Sequence, residues 1–213
     1  MTTVCRGERR WDTRRVLDVV VAGGGLVLGA PLLAALAAAV RWESGGPALF
    51  RQERLGRDRE PFVLLKYRTM HPGCDDRAHR ALIAAELRGE DTSSGGSWKI
   101  DGDARVTRVG AWLRRTSLDE LPQLVNVLRG EMTLVGPRPC LAWEAELFPA
   151  EYASRFAVRP GLTGLWQVRG RSTLGTLDML RLDREYVRGR RLDRDLAILL
   201  ATVPALLRRD GAR

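Results

Sequence analysis

One long apolar segment near the start of the chain precedes a body of short apolar stretches separated by polar turns. The segment runs from Val19 to Val40, 22 residues without a charge, and as a helix it is long enough to cross a hydrocarbon layer of about 30 Å. Gly29 and Pro31 interrupt it, and proline within a helix removes a backbone hydrogen bond and bends the axis. The pattern predicts a membrane helix with a bend near its middle.

Arginines flank both ends of this segment. They are Arg6, Arg9, Arg10, Arg14 and Arg15 before it, and Arg41, Arg51, Arg54, Arg57 and Arg59 after it. Because basic flanks stay on the cytoplasmic side of a membrane, both ends are predicted to lie there. A re-entrant helix that bends at Ala30 and Pro31 and leaves by the leaflet it entered satisfies this rule. The alternatives are a straight span and a cleaved signal peptide, although the apolar run is longer than a signal peptide needs.

The rest of the chain reads as a mixture of strands and helices. Short stretches at 48–52 and 61–67 predict strands joined by a polar turn, and apolar residues at helical spacing after residue 120 predict a helix that Gly130 ends. The stretch from Leu177 to Arg209 is predicted as helical, either in the core or lying at a membrane surface. The sequence therefore predicts a mostly helical α+β fold, with an anchor at 1–43 followed by a compact domain at 44–213 that has short strands and surface helices.

Charge narrows the range of partners. The net charge is +9 and arises almost wholly from arginine, since Lys66 and Lys99 are the only lysines. Arginine binds phosphate through two donors, so phosphorylated, nucleotide and anionic-membrane partners all fit. A basic nucleic-acid-binding protein is the alternative suggested by charge alone, but the sequence has no helix-turn-helix, zinc-finger or RNA-binding signature. Three cysteines without metal or redox spacing predict a domain on the reducing, cytoplasmic side.

The densest chemistry lies between residues 117 and 140. Asp119 and Glu120 are adjacent, so on a helix their side chains point about 100° apart and suit different roles, such as attacking a substrate and holding a metal. Ser117 and Glu120 also fit a capping box, whereas Pro122 favours a helix that starts nearer Asp119. Either start places Asp119 at a helix N-terminus, where the dipole keeps a carboxylate ionised and attracts phosphate.

Four cations along the chain are candidates for binding phosphate near this pair. Lys66 and Arg68 lie at the end of a predicted strand, two residues apart and so on one face. Arg114 and Arg115 come directly before the acidic pair, where they either balance its charge or bind a diphosphate.

Three further arginines belong to proline- or glycine-rich stretches. Arg138 lies between two prolines that fix the backbone around it, and such a stiff presentation suits anion recognition. Arg159 and Arg171 flank a glycine-rich stretch in which the backbone is able to approach a ligand closely. All three are candidate phosphate-binding residues.

Taken in order, residues 47–56, 66–70, 103–139 and 158–171 resemble the bacterial sugar transferases that start cell-surface glycan assembly, the monotopic polyprenyl-phosphate phosphoglycosyl transferases. The most specific match is the string SLDELPQLVNVLRGEMTLVGPRP. That family enters one leaflet through a re-entrant helix broken at a Ser-Pro pair, which is Ala30-Pro31 here. The sequence shows no sign of the additional membrane helices of larger members, so the chain resembles their catalytic unit alone.

The resemblance implies a two-step reaction. Asp119 matches the residue that attacks the β-phosphorus of a UDP-sugar and expels UMP, and polyprenyl (undecaprenyl) phosphate then accepts the phosphosugar. Glu120, with Asp119, matches the acids expected to bind Mg²⁺, and Lys66, Arg68 and Arg138 match phosphate-binding positions.

The resemblance also implies a setting for the reaction. The catalytic domain is expected on the cytoplasmic face of the bacterial cell membrane, at the inner leaflet, and the product is expected to pass to downstream glycosyltransferases of exopolysaccharide, capsule, O-antigen or glycoconjugate synthesis. Similar chains handle glucose, galactose and N-acetylated amino sugars, so the sugar stays open. A membrane-bound scaffold without activity is the alternative, and the intact acidic pair argues against it.

Overall fold

The computed structural model describes residues 12–71, 77–88, 90, 105–170 and 174–207, with the backbone alone at 77–79 and 207. The helices are α1 (Thr13–Leu28), α2 (Ala30–Ser44), α3 (Arg77–Leu87), α4 (Arg108–Thr116), α5 (Gln123–Arg129), α6 (Ala142–Leu147), α7 (Leu165–Arg169), α8 (Thr176–Arg188) and α9 (Leu192–Leu207). The strands are β1 (Leu49–Leu55), β2 (Pro61–Tyr67), β3 (Thr133–Val135) and β4 (Gly161–Thr163), and 3₁₀ turns occupy Arg57–Arg59, Leu118–Glu120 and Ala150–Ala157. The predicted α+β fold with mostly helical content is confirmed.

The N-terminal apolar segment forms two helices rather than one. The axes of α1 and α2 meet at 65°, and Gly29 joins the two helices, with its amide bonded to the carbonyl of Gly25 at 2.9 Å. Pro31 lies in the first turn of α2, where an N–H group has no intrahelical acceptor, so its ring costs no hydrogen bond. The predicted bend is confirmed, and the expected loss of a helix bond is avoided because a new helix begins there.

Within the described ranges, no single helix is both long and apolar enough to cross a membrane, whereas α1 and α2 together pass on length and composition. The re-entrant path and the division at residue 43 remain predictions.

Buried carboxylates fasten the first turns of α1 to the body of the protein. Asp18 is 4% exposed and accepts hydrogen bonds from the Thr133 hydroxyl at 2.9 Å and the Leu134 amide at 2.8 Å. Arg14 donates to buried Asp195, at the start of α9, at 2.6 Å. These bonds satisfy polar groups that burial would otherwise penalise, so α1 is held against β3 and α9.

Two small sheets set the positions of the loops that carry charge. Strands β1 and β2 form an antiparallel hairpin in which Phe50 pairs with Lys66 and Arg54 with Phe62, so these side chains share one face. Strands β3 and β4 are parallel, and both therefore end at the same edge. The loop that contains Arg138 leaves β3 from that edge.

Large apolar side chains remain exposed on α1, α2 and α9. They are Val16, Val20, Val21, Val27, Leu28, Leu32, Trp42, Leu196, Leu200 and Val203. The opposite side of α9 buries Asp195 and Ile198. Helix α9 thus packs on the core with one side, as one of the two alternatives predicted, and presents an apolar stripe on the other; its placement at a membrane surface remains a prediction.

Candidate active site

The acidic pair lies in a single 3₁₀ turn between two helices. Ser117 has a left-handed backbone (φ 56°) and closes α4, because its amide donates to the carbonyls of Leu113 and Arg114. An N-cap residue needs an extended backbone, so the predicted capping box at Ser117 and Glu120 is wrong. The predicted helix start near Asp119 corresponds to the 3₁₀ turn Leu118–Glu120, whereas the α-helix α5 begins only at Gln123, after Pro122.

The turn is held in place by its two leucines, which pack on the core while the acids lie between them. Residues three apart eclipse one another in a 3₁₀ turn, and Leu118 and Leu121 both pack on the apolar cluster that α2 forms with Tyr67 and Leu113. The Tyr67 hydroxyl also donates to the carbonyl of Leu33 in α2 at 2.7 Å. Asp119 lies between these leucines in sequence and is half-buried, so α2 directly supports the turn that carries it.

Three cations surround the acidic pair. Lys66, Arg114 and Arg138 each act electrostatically on Asp119 and favour its charged form. Arg138 also approaches Glu120 directly, with 3.4 Å between Nη1 and Oε1. Positive charge from three separate elements, β2, α4 and the loop after β3, therefore converges on one turn and suits the binding of a diphosphate.

The pKa values of Asp119 and Lys66 are shifted toward each other. Burial, reinforced by the charge of Glu120, raises the pKa of Asp119 to about 6, although the three cations oppose the rise. Burial, reinforced by Arg138, lowers the pKa of Lys66 to about 8, although Asp119 opposes the fall. No α-helix begins at Asp119, so nearby cations rather than a helix dipole favour its charged form, although desolvation is the larger effect on its pKa.

The Gly-Pro-Arg-Pro loop is rigid because four successive carbonyls accept hydrogen bonds. Their donors are Gly161 N to Pro137 (2.8 Å), Arg155 Nη2 to Arg138 (2.7 Å), Arg54 Nη1 to Pro139 (3.4 Å) and Leu55 N to Cys140 (2.9 Å). The close approach of β4 also requires a glycine at position 136, since a Cβ there would lie 2.6 Å from the carbonyl oxygen of Arg159. The fixed loop agrees with the stiff presentation of Arg138 expected from its prolines.

Arg54 is a charged residue of this site that the sequence did not single out. Its side chain is 12% exposed, and Nη1 lies 3.4 Å from Glu144, while Nη2 donates to Gln52 at 2.7 Å. Burial lowers its pKa to about 10, and its charge reaches both Lys66 and Glu120. Side chains alternate between the two faces of a strand, so the sequence indicates that Arg54 and Phe50 share one face of β1. Only the register of the hairpin shows that Lys66 lies on this face as well.

Asn126, in the first turns of α5, connects the acidic turn to β2. It is fully buried, its side-chain oxygen accepts from the Leu65 amide at 3.0 Å, and its nitrogen donates to the Val63 carbonyl at 2.7 Å and to Glu131 at 2.6 Å. These bonds satisfy the edge of β2 that β1 leaves free, directly beside Lys66. The pattern of apolar residues around position 126 gave no indication of this role.

The other predicted phosphate-binding residues lie in several places. Arg68 follows the end of β2 and packs over the backbone of Gly46, and Arg115 is exposed on α4. Arg159 is half-buried near Arg15, Arg57 and Asp18, the charges that act on it most strongly, so the structure groups it with the first turns of α1. Arg171 lies outside the described residues.

The acids present suit a metal shared with a substrate. Among the described residues, no group of three or more His, Cys, Asp or Glu side chains is arranged to hold an ion. Mg²⁺, however, commonly takes one or two carboxylates and completes its shell with substrate phosphates and water. Asp119 and Glu120 supply that number of carboxylates beside cations that suit a diphosphate.

Sequence comparisons identify relatives over almost the whole chain. Residues 9–209 match the sequence model of a family described as bacterial sugar transferase. A UDP-glucose:undecaprenyl-phosphate glucose-1-phosphate transferase of Caulobacter vibrioides is 48% identical over 207 residues, covering 93% of this chain and 71% of the relative. The exopolysaccharide production protein ExoY of Rhizobium meliloti is 38% identical, covering 91% of this chain and 84% of ExoY.

A third relative is considerably longer than this chain. The undecaprenyl-phosphate galactose phosphotransferase of Salmonella typhimurium is 38% identical over 203 residues, covering 93% of this chain but 41% of the relative. The shared region contains the acidic turn and the cations around it.

Proposed function

The chain belongs to the bacterial sugar transferase family, and on that premise we propose that it transfers a sugar-1-phosphate from a UDP-sugar to undecaprenyl phosphate. The observation that carries the proposal is Asp119, a half-buried carboxylate that Lys66, Arg114 and Arg138 surround. A carboxylate is a competent covalent nucleophile, and phosphoryl transfer depends on positive charge around the moving group. The name of the Caulobacter vibrioides relative pairs UDP-glucose with undecaprenyl phosphate, and that of the Salmonella typhimurium relative also contains undecaprenyl phosphate, so both support these substrates.

In the first step of this proposal an Oδ atom of Asp119 attacks the β-phosphorus of the UDP-sugar. A bond forms between that oxygen and phosphorus, and the bond from the β-phosphorus to the bridging oxygen breaks, so UMP leaves with the bridging oxygen. In the second step a phosphate oxygen of undecaprenyl phosphate attacks the same phosphorus. The bond to Asp119 breaks, the carboxylate is restored, and the product is an undecaprenyl diphosphate sugar.

The cations and the second acid have separate roles in these steps. Lys66 and Arg138 compensate negative charge on the diphosphate, and the partial burial of Lys66 strengthens its interaction. Glu120, with Asp119, would hold Mg²⁺, which supplies charge neutralisation to the phosphate oxygens when bound. Arg138 is shared between Glu120 and the phosphates, because it lies 3.4 Å from the Glu120 carboxylate.

The proposed setting is the inner leaflet of the bacterial cell membrane. The exposed apolar side chains of α1, α2 and α9 suit lipid, and α2 packs on the leucines beside Asp119, which brings the acid close to a lipid acceptor.

Cysteines introduced at Thr13 and Glu53 of an otherwise cysteine-free protein should both resist an impermeant thiol reagent added to the periplasmic side. Labelling of one of them from that side would support a straight span instead.

The experiment that tests the activity is UMP release from a panel of UDP-sugars with purified protein, undecaprenyl phosphate and Mg²⁺. We expect turnover with at least one donor, its loss when the metal is chelated, and one UMP per enzyme when the acceptor is omitted. No release with any donor would favour the inactive scaffold. Release that requires the acceptor even in the first turnover would replace the covalent route with direct transfer.

The rate of UMP release should depend on pH as a bell. Below about 6 Asp119 becomes protonated and cannot attack, and above about 8 Lys66 loses its charge, so kcat/KM should fall on both sides of this window. Lys66→Arg, which stays charged, should lose the fall near pH 8 and keep the fall near pH 6. A profile that is flat from pH 5 to 9 in the native protein would contradict this assignment.

A further inference from the structure

We propose that the buried Arg155–Asp183 ion pair is a positioning element that holds the Arg138 guanidinium beside the acidic turn. Neither residue touches Asp119 or Glu120 in the described contacts, and neither was suggested by the sequence. The inference rests on the proposed function, because it assigns the pair a role in presenting one of the phosphate-binding cations.

Arg155 joins two distant parts of the fold through one nitrogen. Its Nη2 donates to the Asp183 carboxylate at 2.9 Å and to the carbonyl oxygen of Arg138 at 2.7 Å. Its side chain is 6% exposed and that of Asp183 is 3% exposed. The guanidinium carbon lies 4.9 Å from the ring centre of Phe148 and 5.5 Å from that of Phe156. These aromatic contacts and the pair with Asp183 fix the position of Nη2, the nitrogen that donates to the loop.

The carbonyl of Arg138 is the atom whose position this arrangement decides. Prolines at 137 and 139 fix their own φ angles and restrict the residue before each of them. The remaining freedom is mainly the φ angle of Arg138, which moves its side chain and its carbonyl together, and a hydrogen bond to the Arg138 carbonyl restricts that rotation. Since the Arg138 side chain is 47% exposed and reaches Glu120 at 3.4 Å, whether it meets the acidic turn depends on the direction in which this backbone presents it.

Stability alone does not account for the pair. The cost of removing two charges from water offsets much of their attraction in the interior, and Nε and Nη1 of Arg155 are buried without a hydrogen-bond partner among the described residues. A pair selected for stability would satisfy these donors. The bonds that Arg155 does make are those that fix the loop.

The test is a double-mutant cycle measured by UMP release. The first variant is the double substitution Arg155→Met with Asp183→Leu, which removes both charges so that neither is buried alone. The second is Arg155→Lys, which keeps a cation beside Asp183 but loses the planar fork. Each of these two variants is combined with Arg138→Ala. Thermal unfolding in detergent identifies any variant that fails to fold. If the double substitution fails to fold, the cycle is completed with Arg155→Lys.

With Arg138 present, each pair variant should lower kcat/KM by about tenfold; in the Arg138→Ala background the same changes should cost less than about twofold, because no guanidinium remains to be positioned. The change in kcat relative to KM should also match that of Arg138→Ala. Arg184→Lys is the matched control, because Arg184 also stacks on an aromatic ring, that of Tyr152 at 4.9 Å, and none of its described ion pairs or ring contacts reaches the Gly-Pro-Arg-Pro loop. The kcat/KM of Arg184→Lys should stay within about twofold of the native value.

Equal losses in both backgrounds, or full activity in a folded pair variant, would overturn the inference. Either result leaves the proposed function intact as long as the native protein releases UMP. Absence of UMP release from the native protein is a failure of the proposed function itself, and it would remove the premise on which this role of Arg155 stands.

Discussion

Asp119→Asn is expected to abolish UMP release, with kcat/KM lowered by at least about 10³-fold. The amide has nearly the same shape as the carboxylate, so the 3₁₀ turn, which Leu118 and Leu121 hold against α2, should be kept. The amide lacks an anionic oxygen and cannot form the bond to phosphorus. The loss should therefore be in chemistry, with the thermal midpoint close to that of the native protein.

Asp178→Asn is the control for this substitution. Asp178 is an exposed aspartate on α8 that pairs with Arg181 at 2.9 Å, and exposed pairs of this kind contribute little to stability. Its UMP release should stay within about twofold of the native rate. The comparison separates the loss of one carboxylate at the site from the loss of one carboxylate anywhere on the protein.

Measuring the mass of the intact protein shows whether Asp119 is the covalent nucleophile or serves only as a metal ligand. Native protein mixed with the active UDP-sugar and no acceptor should gain the mass of one phosphosugar, and Asp119→Asn should gain none. Unchanged turnover in the variant would remove Asp119 as the nucleophile. An adduct that persists in the variant would assign the covalent bond to another residue.

The parts of the fold that follow from local pattern were predictable from the sequence. Strand β2 occupies the predicted residues, and Gly130, with φ 80°, ends α5 as predicted. Both depend on nearest neighbours, alternation in one case and a left-handed residue after a helix in the other. The conformation of the acidic turn could not be predicted, because Ser117 suits both the start of one helix and the end of another. Local sequence does not distinguish these two positions.

The residues that support the site could not be predicted, because their partners are far away in sequence. Glu43, at the end of α2, accepts hydrogen bonds from the amides of Arg108 and Val109, both at 2.9 Å, and so caps α4 from 65 residues away. From the sequence alone, a charged residue near the end of an apolar helix is expected to face solvent. Its contact with α4 is evident only from the tertiary structure. These contacts show that α2 contributes to the order of α4 and of the acidic turn that follows it.

Asn126→Leu is expected to lower the free energy of unfolding by roughly 3–5 kcal/mol. Leucine has a similar volume, so the change removes hydrogen bonds without leaving a large cavity. The Leu65 amide and the Val63 carbonyl lose their partner on the edge of β2, and each buried group without a partner costs about 1–3 kcal/mol. Glu131, which is half-buried, loses its bond as well but retains access to water.

Thr163→Val is the matched control for a lost buried hydrogen bond. The Thr163 hydroxyl bonds to that of Thr202 at 2.8 Å, and Thr202 keeps its own bond to the Ile198 carbonyl at 2.7 Å. Since no buried backbone group is left without a partner, the cost should be about 1 kcal/mol. Denaturant unfolding in detergent, followed by circular dichroism, measures both variants, and equal losses would show that Asn126 is an ordinary polar contact.

Asn126→Leu should also lose activity at temperatures where the protein remains folded. Asn126 holds the strand residue directly before Lys66, and it does so from the helix that follows the acidic turn, so it fixes the distance between cation and nucleophile from both sides. Loss of that bond should shift the fall of kcat/KM near pH 6 upward, because a more distant Lys66 lowers the pKa of Asp119 less. An unchanged profile in a folded variant would restrict Asn126 to stability, and would mean that the hairpin with β1 is sufficient to place Lys66.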